Sequence, residues 1–137
     1  MREDPGDAAG VLRAMEQAWN KGNAAAFAAV FAEDADLVNF YGMRLRGRKA
    51  IAALYDMLFR SVFQRSRLEC TVAGTRQLCD TVVLLHVRMV ADTPLGALAG
   101  EHESMASVLL QRQENCWRIV ALHNTLVSEG AERPVAM

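Results

Sequence analysis

One histidine near the end of the chain has the chemistry and the setting of a catalytic acid or base. His123 lies in the run WRIVALHNT, where Trp117, Ile119, Ala121 and His123 share the parity of one strand face. Imidazole can take up or release a proton near neutral pH. We therefore predict His123 as a catalytic residue. The alternative is a histidine that is hydrogen-bonded within the sheet or at a dimer seam.

A second histidine and an arginine share a face of another predicted strand. His86 lies in VVLLHVRMV on the same face as Val82, Leu84 and Arg88, and it is a second catalytic candidate. A guanidinium on a buried face needs a partner or solvent. Arg88 is therefore predicted to hold an anionic group of a ligand. Pairing with Glu103 on a neighbouring strand is the alternative.

Aromatic and amide side chains supply the remaining candidates for a pocket. Tyr55 projects from the core face of the longest predicted helix, with Phe59 one turn on, and its hydroxyl can reach a ligand or take part in catalysis. Trp19 and Tyr41 are predicted pocket walls, and Asn39 is a predicted polar contact. The alternative for each aromatic residue is ordinary packing in the core.

Two charged runs are candidate ion sites. The run RLRGRK, from Arg44 to Lys49, places four cations at a helix N-terminus, where the dipole favours anions, although such runs are usually solvated. In GEHESM, Glu101, His102 and Glu103 are consecutive, so on a strand their side chains point to opposite faces and do not converge on a metal ion. GxSxG, Walker and dinucleotide motifs do not occur. The sequence predicts neither a metal nor a cofactor.

Composition limits the kinds of partner. The 137 residues suit one domain, 1–137, with a core at about residues 8–128. With 15 basic and 16 acidic residues the net charge is −1, so we expect no nucleic acid and no membrane surface as partner. Cys70, Cys79 and Cys116 lack CxxC spacing, which fits a reduced compartment. The start MREDPGDAAG lacks a signal-peptide pattern, and we expect a cytoplasmic protein.

The first half of the chain predicts helices. Three segments carry apolar residues at helical spacing, and the third gives the clearest pattern. An acidic turn, AEDAD, is predicted after the second segment, and a small hairpin is predicted from Leu37 to Leu45. The apolar positions of the three helices are Val11, Leu12, Met15, Ala18 and Trp19, then Phe27, Val30 and Phe31, then Ile51, Leu54, Tyr55, Leu58, Phe59, Val62 and Phe63.

The second half predicts an antiparallel meander, which gives an α+β class. Its strands are Leu68 to Cys79, Thr81 to Ala91, Glu101 to Arg112 and Cys116 to Val127, with Asp92 to Gly100 as the longest loop. Both faces of VVLL, VLL and IVAL are apolar, yet one layer of helices covers only one face of a sheet. We therefore expect a homodimer that packs through the other sheet face.

Three segments together carry a resemblance to a known superfamily. AWNKGNAAAFAAVFAEDADLVN, YGMRLRGRKAI and WRIVALHNT, in this order, resemble the nuclear transport factor 2-like superfamily in its SnoaL-like or SgcJ/EcaC-like branch, from about Ala8 to Ser128. The resemblance implies a cone of three helices on a strongly curved, mostly antiparallel sheet, as in cystatin-like and ketosteroid-isomerase-like rolls. It also implies a cavity open at one end, and usually a dimer.

The same resemblance argues against one specific activity. Asn39 aligns where ketosteroid isomerases keep the carboxylate that moves a proton, and Met15 aligns where they keep the oxyanion tyrosine. Enolate chemistry needs both a base and a donor. Relatives in this branch often carry histidine at the position of Tyr55, which departs from them as well.

Two hypotheses about function remain, because the superfamily includes both enzymes and plain binding or assembly modules. The first is a cofactor-independent isomerase, cyclase or dehydratase that acts on a small hydrophobic substrate. It would use His123 or His86 together with Tyr55 and Asn39. The second is a non-catalytic ligand-binding domain or dimeric assembly domain.

Overall fold

The computed structural model describes residues 8–128, which form three helices and six strands. Residues 1–7 and 129–137 of the predicted domain lie outside the described residues. No helix within 8–128 is long and apolar enough to cross a membrane. The helices are α1 (Ala8–Asn20), α2 (Ala24–Ala29) and α3 (Arg48–Phe59), and the strands are β1 (Phe31–Val38), β2 (Arg44–Arg46), β3 (Arg67–Cys79), β4 (Val82–Thr93), β5 (Gly100–Gln113) and β6 (Cys116–Leu126).

The six strands form one curled sheet in the order β2-β1-β6-β5-β4-β3. Every neighbouring pair is antiparallel except β1 and β6, which run parallel. The three helices pack on one face of this sheet, so the predicted α+β class is confirmed. The last four strands form the predicted meander. It could be predicted from the sequence because alternating β-branched residues and tight turns are strong local signals.

A cluster of aromatic rings joins the three helices. Trp19 of α1 lies between Phe27 of α2 and Phe59 of α3, with ring centroids 5.9 and 5.2 Å away. Phe63, just after α3, is 4.9 Å from Trp19. The Trp19 indole Nε1 donates a hydrogen bond of 2.8 Å to Ser66 Oγ, which satisfies its buried N–H. The cluster therefore fixes the helices to one another and to the start of β3.

The predicted acidic turn after the second helix was wrong. The segment AEDAD lies inside β1, where Ala32 and Ala35 are buried while Glu33 and Asp34 are exposed. The pairing of β1 with β6 shifts register between Phe31 and Asp36, and this irregularity lets the two acidic side chains reach solvent from a strand. Tertiary pairing thus overrides the local turn signal.

The predicted third helix also extends too far. α3 ends at Phe59, and residues 60–65 form turns. The N–H of Phe63 donates to the carbonyl of Leu58 at 2.8 Å, so the chain leaves the helical path while Phe63 still reaches the aromatic cluster. The helical spacing of apolar residues continues beyond the end of α3 because the turn places Phe63 against the same core that the helix contacts.

The arginines of the RLRGRK run bind a backbone carbonyl and a carboxylate of the same chain. Arg48 donates two hydrogen bonds to the carbonyl of Phe31, of 2.9 Å from Nε and 2.7 Å from Nη2. Arg44 and Arg46 each lie 3.5 Å from the carboxylate of Asp36. The run therefore fastens β1 to β2 and α3, a structural role that differs both from an anion site and from a purely solvated face.

Replacing Arg48 by methionine should lower the free energy of unfolding by about 1.5–3 kcal/mol, because it removes two charge-assisted hydrogen bonds from a part-buried carbonyl. Urea denaturation measures the change. The neighbouring, exposed Lys49 gives the control, and Lys49→Met should stay within about 0.5 kcal/mol. Equal effects of the two substitutions would contradict a bracing role for Arg48.

Candidate functional site

A cavity of about 280 Å³ lies between the helices and the inner face of the sheet. Its mouth is formed by the β1–β2 turn and α3, where Tyr41, Met43 and Met57 are 64, 48 and 54% exposed. Exposed apolar side chains that cluster around one opening are compatible with an interaction site or a ligand site. The apolar walls include Met15, Trp19, Leu54, Leu58 and Phe63 from the helical side and Leu37, Leu68, Met89, Ala91 and Leu122 from the sheet.

Five polar side chains line the cavity along with Tyr41 of its rim and the bonded indole of Trp19. They are Asn39, Tyr55, His102, Ser104 and Asn124. The lining contains no aspartate, glutamate, lysine or arginine among the described residues. The cavity therefore offers hydrogen bonds and apolar contact without a formal counter-charge.

Tyr55 is a neutral phenol in this cavity. Its residue is 8% exposed, and desolvation by burial raises the pKa of Tyr55 from 10.0 to about 12. Because the neutral form is favoured, the hydroxyl keeps its proton at physiological pH. It can therefore donate a hydrogen bond to a bound molecule.

The raised pKa of Tyr55 predicts a loss of stability at alkaline pH. The unfolded chain releases this proton near pH 10.0, whereas the folded protein holds it to about pH 12. The stabilisation is therefore complete below pH 10 and is lost as the pH rises towards 12. Relative to Tyr55→Phe, the wild type should lose about 3 kcal/mol more unfolding free energy across this window. Urea denaturation at each pH measures it, and parallel pH curves for the two proteins would contradict the burial effect.

Asn39 has a structural bond as well as a place at the cavity. Its Oδ1 accepts hydrogen bonds from the backbone N–H groups of Tyr41 and Met43, at 3.0 and 2.9 Å. This local bonding shapes the β1–β2 turn at the cavity mouth. The amide nitrogen is the part of Asn39 that remains for a ligand.

His102, Ser104 and Asn124 form a polar strip on the sheet wall. His102 and Ser104 occupy successive inward positions of β5. Asn124 of the neighbouring strand β6 pairs with Ala106 of β5. The His102 Nε2 lies 2.9 Å from the carbonyl oxygen of Leu98, so Nε2 carries the proton that it donates. In the neutral ring Nδ1 is then an acceptor. Asn124 Oδ1 is buried and has no hydrogen-bond partner within residues 8–128.

Four of the predicted ligand or catalytic residues lie at the cavity. Trp19, Asn39, Tyr41 and Tyr55 all contribute to its lining. Phe59 is outside the lining and packs in the aromatic cluster, with its ring centroid 5.9 Å from that of Tyr55. The structure thus brings the helical and hairpin candidates together.

The three sheet candidates lie on the opposite face, away from the cavity. His86, Arg88 and His123 are exposed on the outer side of the sheet. On β4 the inward residues are those next to His86, such as Leu85 and Val87. His86 and Arg88 do share one face as predicted, but that face is the outer one and not the buried one. Arg88 makes the ion pair with Glu103 that was its alternative role.

A bulge in β6 explains the placement of His123. Leu110 pairs with Ile119, whereas Leu109 pairs with Ala121, so Val120 is an extra residue without a partner. The bulge reverses the alternation of the strand after Ile119. As a result, Trp117 and Ile119 are buried, yet the next inward positions are Leu122 and Asn124, and His123 points outward.

Sequence reasoning missed the polar strip, although part of its signal was present. Ala106, Val108 and Leu110 mark the apolar face of β5, and His102 and Ser104 have the same parity. The strand pattern alone could have placed both of them inward. Asn124 carried no such signal, because its direction depends on the bulge.

The comparisons with known proteins agree with this architecture. The chain matches the SnoaL-like domain family over residues 11–119. A domain of unknown function with a cystatin-like fold from Nostoc punctiforme has 30% identity and a TM-score of 0.76, with 93% of this chain and 75% of that chain covered. An uncharacterized protein with a cystatin-like fold from Caulobacter vibrioides has 27% identity and a TM-score of 0.81, with 90% and 89% covered.

A more distant structure shares the fold alone. A ketosteroid isomerase-like protein from Erwinia carotovora atroseptica has 13% identity and a TM-score of 0.75, with 94% of this chain and 100% of that chain covered. No match to a curated protein was found. The predicted nuclear transport factor 2-like, SnoaL-like assignment is confirmed, whereas the SgcJ/EcaC-like branch stays a prediction.

Proposed function

The chain belongs to the SnoaL-like domain family, and we propose that it binds a small, largely apolar molecule in the cavity between its helices and its sheet. One observation carries the proposal: a concave, mostly apolar site of about 280 Å³ contains a few polar groups at its wall. Small-molecule sites combine these two properties, because apolar contact supplies affinity and a few polar groups fix orientation.

Trp19 provides a direct test, because its indole lines the cavity. The chain has two tryptophans, so Trp117→Phe leaves Trp19 as the single reporter. We expect 2-naphthol to change the Trp19 fluorescence in a saturable manner. Ala91→Phe fills the sheet wall of the cavity and should prevent the change, while Ala53→Phe on the exposed side of α3 should preserve it. Equal binding to both variants would reject the cavity as the site.

A second candidate function is proton transfer on a bound ketone, and the orientation of His102 favours it. The carbonyl of Leu98 holds Nε2–H and leaves Nδ1 as the possible base. Nδ1 would take a proton from the carbon next to a ketone, forming an enolate and an imidazolium, and return that proton to another carbon. Tyr55 stays protonated and can donate to the enolate oxygen.

The outer face of the sheet is proposed to pack against a second copy of the chain. Val82, Leu84 and Leu109 lie half-buried on this face, which the helices do not cover. Arg88 and Glu103 lie further along the same face and form an ion pair with each other. His86 and His123 share this face and would lie at or near the seam.

Light scattering coupled to size exclusion tests the pairing. We expect a dimer for the wild type and a monomer for Leu109→Lys, because a lysine in a desolvated seam lacks a partner. Leu95→Lys, in the exposed β4–β5 loop, should stay dimeric. A monomeric wild type would reject the proposed assembly.

A further inference from the structure

We infer that the molecule bound in the cavity is uncharged and carries a hydroxyl group that hydrogen-bonds the amide of Asn124. The inference rests on the proposed binding function and names the chemical class of its ligand. It follows from two independent features of the site, which are the absence of charge in the lining and an unpaired amide oxygen on the sheet wall.

The lining selects against ions. No aspartate, glutamate, lysine or arginine occurs among the described residues that form the walls. The ion pair between Arg88 and Glu103 lies on the other face of the sheet. A carboxylate or ammonium group would therefore lose its hydration on entering and meet no fixed charge of opposite sign, since His102 is the only ionisable nitrogen base among the described lining residues, and this is strongly unfavourable. A neutral molecule meets no such penalty.

The amide of Asn124 calls for a donor. Its Oδ1 is buried and has no partner within the part of the chain that is described, and an unpaired buried carbonyl oxygen is costly. Rotation of the terminal amide turns either Oδ1 or Nδ2 towards the cavity, because this torsion is soft. A hydroxyl donates to Oδ1 when that atom faces the cavity and accepts from Nδ2 when that atom does, so it can pair with the amide in either orientation. An ether only accepts, so it can pair with the amide only when Nδ2 faces the cavity.

The distribution of polar and apolar side chains over the two walls of the cavity also indicates where the hydroxyl group of the ligand lies. Ser104 and Asn124 lie on the sheet wall, whereas Leu54, Leu58 and Phe63 form an apolar wall on the helical side. A ring compound with its hydroxyl at one edge fits both walls, because the ring contacts the apolar wall while the edge reaches the polar strip. Further polar groups placed against Leu54, Leu58 and Phe63 would find no partner there, because Tyr55 is the polar side chain that α3 contributes to the described lining.

Four probes of matched shape test the inference by calorimetry at neutral pH. They are 2-naphthol, 2-methoxynaphthalene, 2-naphthoate and 2-naphthylmethylammonium. We expect 2-naphthol to bind about 10-fold more tightly than the methoxy compound, which has lost the donor. Each ion should bind at least about 100-fold more weakly than 2-naphthol, because its charge is desolvated without compensation.

Variants of β6 assign the preference to one side chain. Asn124→Leu should bind 2-methoxynaphthalene as the wild type does and should lose the preference for 2-naphthol. Thr125→Val, the next residue and exposed on the outer face, should keep that preference. The wild-type series is informative by itself if the leucine variant does not fold.

The possible outcomes separate this inference from the binding function. Equal wild-type affinities for 2-naphthol and 2-methoxynaphthalene, tight binding of either ion, or a preference that survives Asn124→Leu would overturn the inference while the cavity remains a binding site. Failure of all four probes to bind would overturn the binding function and the inference with it.

Discussion

Replacing His102 by glutamine should slow proton exchange between solvent and a ketone held in the cavity by about 10²- to 10⁴-fold, which is the usual contribution of a positioned general base. His102 is the only imidazole among the described cavity-lining residues, and the carbonyl of Leu98 fixes its orientation. Glutamine keeps a donor for that carbonyl but cannot act as a base near neutral pH. The substitution therefore removes the chemistry and retains the local hydrogen bond.

Deuterium incorporation into 2-tetralone, followed by proton NMR in D₂O, measures this exchange. The compound is neutral and apolar, and its acidic carbons flank the ketone. His86→Ala and His123→Ala are matched controls, because both histidines are exposed on the outer face of the sheet, and both variants should retain the wild-type rate. A wild-type protein that gives only the buffer rate would exclude proton transfer on this class of ketone and leave ligand binding as the function.

Replacing Trp19 by alanine should lower the free energy of unfolding by about 3–5 kcal/mol, the range for buried aromatic residues. Its ring centroid lies within 6.0 Å of those of Phe27, Tyr55, Phe59 and Phe63, so the substitution removes the centre of the aromatic cluster. It also removes the hydrogen bond to Ser66. Urea denaturation followed by circular dichroism measures the loss.

Phenylalanine at each tryptophan separates packing from hydrogen bonding. Trp19→Phe keeps a ring but leaves Ser66 Oγ without the indole donor. The indole Nε1 of Trp117 is buried and has no hydrogen-bond partner in the described chain, so Trp117→Phe breaks no such bond. We expect Trp117→Phe to cost about 1 kcal/mol less than Trp19→Phe. A larger cost at Trp117 would contradict the role given to the Trp19–Ser66 bond.

The fold followed from local patterns because most of its elements bury only one face. The spacing of Ile51, Tyr55 and Phe59 identified α3, and these three side chains are its buried residues. The meander strands were equally clear from turn chemistry. The segment around Glu33 and Asp34 was mistaken for a turn, because nothing in its composition shows that β6 will bind it as a strand.

The site was predicted less well than the fold, because direction on a strand depends on pairing. Both faces of β4 are apolar enough that parity alone did not show which one meets the helices, and His86 and Arg88 were placed inward. On β6 the alternation is interrupted at Val120 by a bulge that exists only in the register with β5. As a result, Asn124 faces the cavity and His123 faces outward, which is the reverse of what a regular strand would give.

The parallel pair of β1 and β6 makes the order of synthesis matter. Phe31 lies beside Ile119, so the first strand of the sheet to be synthesised is held by the last of its six strands. Until then the short strand β2 is the only sheet partner of β1 among the described strands, and the apolar residues of α2 and β1 stay exposed, which favours chaperone binding and aggregation. A nascent chain that stops before β6 should therefore be degraded by proteases and should not form a stable, shortened version of this fold.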